Sequence, residues 1–267
     1  MPLARVGEIE LSYERAGSGP PLLMIMGMSG TFDHWGAALL DELRRDFETI
    51  VYDHRGVGAS SRLEGPITIA ELAEDAAGLM VALGLDSAHV LGISMGGMVA
   101  QELALAHPER IRTLALGCTY CGGEGSALTS EAVMRRLAEG TSSGDRERAI
   151  RIAWEVNVSP EFAANDDAYA RFLEVGSRRA VSFEVILEQM RAITRHDTSA
   201  RLPGLALPTL VIHGTLDQML PVQNGRMIAG LIPGSRLEIF DGAGHMFFLE
   251  QPERTAELVR VNAAVHA

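Results

Sequence analysis

Residues 92–97 of the chain read Gly-Ile-Ser-Met-Gly-Gly, and this stretch decides the fold. An apolar run at 88–93, short enough for a buried strand, leads into it, and a helix-forming stretch at 98–106 follows. Glycine two residues to either side of Ser94 predicts a tight strand-to-helix turn, because side chains there would clash in the strained backbone of such a turn. This turn would project the Ser94 hydroxyl above a sheet. Because Gly-x-Ser-x-Gly also occurs by chance, a glycine-rich turn without chemistry is the alternative.

Strand and helix signals alternate through the first 121 residues and return after residue 200. Strands are predicted at 9–13, 22–26, 49–52, 88–93, 111–116, 209–212 and 236–240. Helices are predicted at 33–45, 68–83, 98–106 and 252–265. Repeated strand-then-helix units predict an α/β protein with a mainly parallel sheet and helices on both of its faces.

The segment 122–200 has a different pattern, since helical stretches follow one another there without a strand. These helices are predicted at 130–139, 145–156, 166–175 and 182–193. We therefore expect a core made of residues 1–121 and 201–267, and a helical cap of residues 122–200 inserted into it.

Composition excludes several classes of protein. The net charge of −12 argues against a nucleic-acid or anionic-membrane partner, and no apolar run approaches a membrane span. All 23 basic residues are arginine, which excludes a Schiff-base lysine, a pyridoxal-phosphate site and a P-loop. We expect a cytoplasmic protein, monomeric or homodimeric, that acts on a small molecule without cofactor or metal. Cys118 and Cys121 are expected to be two reduced thiols.

A serine hydroxyl is a weak nucleophile unless a base lies beside it. His54 and His213 both follow predicted strands, at the sheet edge where open α/β sheets bind ligands. His245 is better placed, because it follows the last strand in Asp-Gly-Ala-Gly-His, whose glycines would let the imidazole swing over Ser94. His245 is therefore the predicted base.

The acid that orients this imidazole must lie at the same edge of the sheet. Asp217 does so, four residues beyond His213 in His-Gly-Thr-Leu-Asp. Asp241 is closer to His245 in sequence, but we expect it to begin the same loop and cap its turn. The strand at 111–116 is followed by no carboxylate before Glu124. Asp217 is the predicted acid by elimination.

The order Ser94, Asp217, His245 resembles that of the α/β-hydrolase superfamily, and further motifs extend the likeness over essentially the whole chain. These motifs are Asp-His-Arg-Gly-Val-Gly-Ala-Ser at 53–60, His-Pro-Glu-Arg at 107–110 and Glu-Gln-Pro-Glu at 250–253. The chain is most similar to small bacterial capped esterases and 3-oxoadipate enol-lactonase-like proteins. The resemblance implies the α/β-hydrolase fold: a mostly parallel, eight-stranded sheet flanked by helices, with an inserted helical cap.

The resemblance also assigns an oxyanion hole to the backbone N–H groups of Met28 and Met95. Many relatives carry His-Gly after the third strand, whereas residues 26–30 here read Met-Gly-Met-Ser-Gly, so the imidazole that braces this loop is absent. Backbone donors survive such a change. The expected substrate pocket is largely apolar and comprises Gly27, Met28, Trp35, Trp154, Met219 and Met246.

These residues favour hydrolysis of a carboxylic ester through an acyl-enzyme on Ser94. An aspartate would replace this serine in dehalogenases and epoxide hydrolases of the same fold. The alternatives are an enol-lactonase, a C–C bond hydrolase and a cofactor-free haloperoxidase or perhydrolase. A ligand-binding receptor that turns over slowly is a further alternative, from another class of protein. Anionic substrates would favour arginines in the pocket. The expected cap, residues 122–200, has ten arginines, from Arg135 to Arg195, but it also has thirteen acidic residues.

Overall fold

The computed structural model describes residues 1–178 and 181–265 and contains one eight-stranded sheet of order β1-β2-β4-β3-β5-β6-β7-β8. The strands are β1 Leu3–Val6, β2 Ile9–Gly17, β3 Pro21–Ile25, β4 Glu48–Tyr52, β5 Ala88–Ile93, β6 Ile111–Gly117, β7 Thr209–Gly214 and β8 Arg236–Phe240. β1 and β2 pair antiparallel with each other, and β2 pairs antiparallel with β4. All other neighbours are parallel, so β3 to β8 end at one edge of the sheet. The predicted α/β-hydrolase fold is confirmed; β1 is an additional short strand that was not predicted.

Helices cover both faces of this sheet. Outside the segment between β6 and β7 they are α1 Ala37–Leu43, α2 Ile69–Ala82, α3 Met95–Ala106, α9 Gln223–Leu231, α10 Phe247–Glu250 and α11 Pro252–Ala264. One apolar core packs α2 and α3 against one face, and a second core packs α1 and α11 against the other. Among the described residues, no helix is long and apolar enough to cross a membrane.

Two helix starts show how local sequence sets the boundaries. Thr68 caps α2 as predicted, and its backbone N–H donates to Glu71 Oε2 at 2.7 Å. The single helix predicted at 33–45 is wrong, because Gly36 interrupts it at a φ of 74°. A Cβ on this glycine would also lie 2.8 Å from Leu249 Cδ2, so that side chain would have to shift. A short 3-10 helix, Phe32–Trp35, therefore precedes α1.

In the described residues, five α-helices lie between β6 and β7, where the cap is expected. They are α4 Glu131–Ser142, α5 Arg146–Asn157, α6 Pro160–Ala163, α7 Asp166–Arg178 and α8 Phe183–Arg195. In the described parts of this connection, 118–178 and 181–208, no strand occurs. A small apolar cluster of Trp154, Val158, Ala168 and Tyr169 holds α5 and α7 together. The division of the chain into a core and a cap domain stays a prediction.

Candidate active site

The turn between β5 and α3 presents a single residue to solvent. Every residue from Ala88 to Gln101 is buried except Ser94, which is partly exposed. Ser94 has a φ of 54°, in the left-handed region that is strained for a residue with a side chain. The two flanking glycines make this turn possible, because a Cβ at Gly92 would overlap the backbone of Gly96, and one at Gly96 would overlap β3. The local sequence therefore forces the Ser94 hydroxyl outward.

The residues that follow β3 form a second tight turn against Ser94, which we call the 27–30 turn. A Cβ on Gly27 would lie 3.0 Å from the Cβ of Ser94, so a larger residue there would crowd the hydroxyl. The turn closes with a 3.3 Å hydrogen bond from the N–H of Gly30 to the carbonyl of Gly27. Met28 lies within it, half-buried.

His54, which was not predicted to contact this turn, supports the residue before it. The Nε2–H of His54 donates to the carbonyl of Met26 at 3.0 Å. His54 follows β4 and is buried. It therefore supports the residue that directly precedes the 27–30 turn.

A carboxylate and two imidazoles meet beyond β7 and β8. Asp217 Oδ2 accepts hydrogen bonds from His245 Nδ1 at 2.8 Å and from His213 Nε2 at 3.0 Å. Its Oδ1 accepts from the backbone N–H groups of Met219 at 2.8 Å and Leu220 at 2.9 Å. The side chains of Asp217, His213 and His245 are all buried. The second imidazole on Asp217 was not predicted, although the four-residue spacing from His213 could have indicated it.

The same contacts set the ionisation of the pair. Burial alone would raise the pKa of Asp217, but the neighbouring imidazoles of His245 and His213 outweigh it and lower that pKa to about 2. Burial lowers the pKa of His245, but the Asp217 carboxylate outweighs this effect and raises it well above 6.5. Asp217 is thus an anion that stabilises a positive charge on His245.

Cys118 lies between the serine turn and this pair. Its thiol interacts with the imidazole of His245 and with the backbone of Ser94, and burial raises its pKa. Within the described residues, the Ser94 hydroxyl makes no hydrogen bond; such bonds often form fully only when substrate is bound. A ring nitrogen of His245, a carboxylate oxygen of Asp217 and the Cys118 sulfur lie within 4.8 Å of one another, so these three residues could hold a metal ion.

The segment that carries α4 to α8, residues 122–200, is called the inserted segment. It is hydrogen-bonded to the loops that carry Asp217 and His245. The Thr129 hydroxyl, just before α4, donates to the carbonyl of Met219 at 2.7 Å. The N–H of Met246 donates to the carbonyl of Asn157 at the end of α5, also at 2.7 Å. Gln189 on α8 accepts a bond from the 27–30 turn. The segment thus contacts the loops of the predicted acid and base as well as the turn beside the serine.

Gly244, the glycine directly before His245, does not have the role that the sequence suggested. Gly244 packs so tightly that a Cβ would lie 2.7 Å from the Cα of Val158. The Glu250 carboxylate accepts from the N–H groups of both Gly244, at 2.8 Å, and Ser159, at 3.0 Å. The loop is therefore fixed against the inserted segment rather than free to swing.

The predicted pocket residues fall into two groups. Met28, Met219 and Met246 are half-buried, and Gly27 packs on Ser94. Trp35 is fully buried and packs against Phe248, with ring centroids 5.4 Å apart, so it fills the core beneath α1 and does not fit a role in the pocket.

Trp154 lies in the small core of the inserted helices, where its indole N–H donates to the carbonyl of Ala163 at 3.3 Å. It also lines a groove of about 450 Å³ between α7 and the residues around α1. Neither Ser94 nor His245 lines this groove.

Arginines of the inserted segment face solvent. Arg151 is half-buried and stacks on the ring of Tyr169 at 3.6 Å, while Arg179 lies outside the described residues. The others are exposed: Arg135, Arg136, Arg146, Arg148, Arg171, Arg178, Arg191 and Arg195.

The order of strands, the strained serine turn and the paired Asp217 and His245 define the class to which the chain belongs. A family model described as the alpha/beta hydrolase fold matches residues 20–252. The chain belongs to this family, and it is a hydrolase.

Relatives of this chain share the fold and differ in the reactions for which they are named. A putative carbamate hydrolase from Azorhizobium caulinodans is 29% identical over 97% of both chains. A putative non-heme bromoperoxidase from Mycobacterium tuberculosis is 28% identical over 92% of this chain and 94% of its own. A thermophilic esterase from Thermogutta terrifontis is 27% identical over 99% of this chain and 98% of its own, with a TM-score of 0.80. The enol-lactonase from Burkholderia xenovorans is 27% identical over 98% of this chain and 100% of its own, with a TM-score of 0.85.

Proposed function

We propose that the protein is a serine hydrolase that cleaves carboxylic esters of small to medium, largely apolar substrates through an acyl-enzyme. The observation that carries this proposal is the 2.8 Å bond from His245 Nδ1 to the buried Asp217 carboxylate, at the sheet edge where Ser94 is held in a strained, exposed turn. This bond fixes the tautomer whose Nε2 can accept the Ser94 proton.

In the proposed mechanism, Ser94 Oγ attacks the ester carbonyl while His245 takes its proton, and Asp217 stabilises the resulting imidazolium. The imidazolium then returns the proton to the leaving alkoxide. Met95, the first residue of α3, has a backbone N–H that the helix itself does not use. This N–H and that of Met28 would bind the developing oxyanion, and losing such a donor typically costs about 3 kcal/mol of transition-state stabilisation. Water releases the acid by the reverse sequence.

The preference for neutral substrates rests on the surroundings of Ser94. Three half-buried methionines, Met28, Met219 and Met246, belong to the turn and to the two loops described above. Flexible thioether side chains suit apolar groups of varied shape. The exposed arginines of the inserted segment do not supply a buried positive charge for an anionic substrate. The esterase and the enol-lactonase of similar structure both cleave an ester bond by name, which supports this class of reaction.

The test combines covalent labelling with turnover. Wild type, Ser94→Ala and the control Ser126→Ala, which loses a hydroxyl bonded to Gly123, are treated with a fluorophosphonate and a series of p-nitrophenyl esters. Wild type and the control should be labelled once and should turn over esters, whereas Ser94→Ala should do neither. Ester hydrolysis by Ser94→Ala at the wild-type rate would overturn the assignment. A lactone and an aryl carbamate in the same series show how fast the protein cleaves these bonds relative to esters. Covalent labelling with negligible turnover of every substrate would favour a ligand-binding receptor.

A further inference from the structure

Gln189 is the only polar member of the buried stripe on α8. The buried residues of this helix are Val185, Gln189 and Ala192, spaced so that they share one face. Val185 packs against Gly56, where a Cβ would lie 2.9 Å from Val185 Cγ2, and Ala192 belongs to the apolar core around α2 and α3. This face therefore seats α8 on the body of the molecule, with a fully buried amide, 0% exposed, in its middle.

Within the part of the chain that the structure describes, the amide has one hydrogen-bond partner, which lies in the 27–30 turn. Gln189 Oε1 accepts a hydrogen bond from the N–H of Ser29 at 2.9 Å. Because a backbone N–H can only donate, this contact fixes which amide atom faces the turn. Ser29 has a φ of 57°, so its peptide is in a conformation that needs support from its surroundings. The supported residue directly follows Met28, whose N–H is a proposed oxyanion donor.

The second polar atom of the amide is its nitrogen, Nε2. Gln189 Nε2 is buried and makes no hydrogen bond within the described residues. A buried unpaired donor costs about 1–3 kcal/mol, so the amide contributes little net stability even with its bond to Ser29. A residue selected for packing alone would be apolar, as its neighbours on the stripe are.

We propose that Gln189 is a positioning residue, which holds the 27–30 turn from the inserted segment so that the Met28 N–H points at the oxyanion. The inference rests on the proposed function. An oxyanion hole acts on the charge that develops in the transition state, so a displaced donor lowers kcat more than it changes the binding of uncharged substrate.

Gln101 provides a matched control. It is also a buried glutamine that links the body to the inserted segment, but both ends of its amide are paired: Nε2 donates to the carbonyl of Tyr120 at 3.0 Å, and Oε1 accepts from the Thr198 hydroxyl at 2.6 Å. Methionine is a near-isosteric apolar replacement at both positions. Gln101→Met thus removes a fully satisfied amide, and Gln189→Met removes a half-satisfied one.

The experiment measures kcat and KM for a p-nitrophenyl ester, the affinity for a trifluoromethyl ketone as transition-state analogue, and Tm, with rates expressed per titrated active site. For Gln189→Met we expect kcat to fall by about tenfold to a hundredfold, the ketone affinity to fall in parallel, KM to stay within about threefold and Tm to stay near wild type. For Gln101→Met we expect a lower Tm and a kcat near wild type.

Two outcomes would overturn the inference. One is a kcat within about twofold of wild type in Gln189→Met; the other is a fall in its kcat accompanied by a fall in Tm as large as that of Gln101→Met. Gln189→Asn retains the amide but is one methylene too short for Ser29, so it should behave as Gln189→Met does. If Ser94→Ala stays active, the proposed function fails. If Ser94→Ala is inactive while Gln189→Met is unimpaired, only the inference about Gln189 fails.

Discussion

In the proposed mechanism, Asp217 is the residue on which most of the chemistry depends. Its carboxylate accepts four hydrogen bonds, two from imidazoles and two from backbone N–H groups. His213 makes a further bond, from the same Nε2 to the carbonyl of Leu220 at 2.7 Å, so it ties the carboxylate to the loop that follows it. The acid is held in place by its surroundings before any substrate binds.

The pH dependence of ester hydrolysis should report the Asp217–His245 pair. A general base must be deprotonated, so kcat/KM falls as the pH drops through the pKa of His245; because Asp217 raises that pKa, the midpoint of the acid limb should lie above 6.5. In Asp217→Asn the limb should move to lower pH, since burial then acts on the imidazole without the carboxylate. The plateau should fall about 10⁴-fold because the tautomer is no longer fixed.

Single-turnover measurements at high enzyme concentration make the slow variant accessible. Asp241→Asn is the control, because Asp241 is exposed at the start of the loop that carries His245. Among the described residues, its side chain accepts a bond only from the Thr215 hydroxyl. A wild-type midpoint below 6.5, or an acid limb that stays in place in Asp217→Asn, would contradict this assignment of charges.

At the scale of elements, the loop after β4 supports the 27–30 turn through a buried carboxylate. Asp53 Oδ1 accepts from the N–H of Phe32 at 2.8 Å, just beyond that turn. Gly58 follows Asp53 in the same loop and has a φ of 59°; a Cβ on it would overlap the Asp53 carboxylate. The glycine of this motif is therefore required by two separate constraints, backbone conformation and space.

A comparison of Gly58→Ala with Gly7→Ala separates the two constraints. Gly7 has a φ of 58° and nothing within 4 Å of the Cβ position, so its replacement adds backbone strain alone, about 1–2 kcal/mol. Gly58→Ala should lower the free energy of unfolding by a further 1–3 kcal/mol or so, because Asp53 must move and lose its buried bond. Urea denaturation measures both. Equal losses in the two variants would mean that the carboxylate adapts without cost.

The described elements also show which signals in the sequence were sufficient to predict where a strand or helix begins and ends. Strands β5 and β8 lie at the predicted residues. β5 is a buried, mainly apolar run, whereas β8 alternates charged and apolar residues in Arg-Leu-Glu-Ile-Phe, between the breakers Pro-Gly at 233–234 and Asp-Gly at 241–242. The helix predicted at 33–45 is interrupted at Gly36. Whether a glycine inside an amphipathic pattern interrupts a helix depends on its tertiary contacts, which the local sequence does not show. Leu249, which makes this contact, is more than 200 residues away in sequence.

For the whole molecule, the parallel strand ends explain why the predicted acid, base and serine could be placed from sequence. Ser94 follows β5, Asp217 follows β7 and His245 follows β8, so the sheet brings them to one edge whatever the loops contain. Contacts that cross from the inserted segment could not be placed this way. The bond from Gln189 to Ser29 joins residues 160 positions apart, and its one sequence signal is a polar residue in an apolar helical stripe.

The two thiols should report opening of the whole sheet. Cys118 and Cys121 follow the central strand β6, are free, and are 0% exposed. Burial raises the pKa of both, that of Cys121 to about 11, so the thiolate population at pH 8 is small. We expect no reaction with 5,5′-dithiobis(2-nitrobenzoate) in the folded protein and two equivalents in guanidinium chloride. Rapid reaction of the folded protein would show that this region opens locally.

The bonds from the inserted helices to the body bear on how this scaffold can be recombined. A chimaera that takes residues 122–200 from a relative would replace Thr129, Asn157 and Gln189 in one exchange. The loop of Asp217 and the 27–30 turn would each lose a side-chain hydrogen bond. The bond from the Met246 N–H to the carbonyl of Asn157 joins two backbone groups, so it depends on the path of the donor chain and not on its side chain at 157. The inserted segment is expected to select the substrate, and its hydrogen bonds also hold the loops of the predicted acid and base and the 27–30 turn in place. Its exchange should therefore change rate and selectivity together, unless the donor segment supplies equivalent contacts.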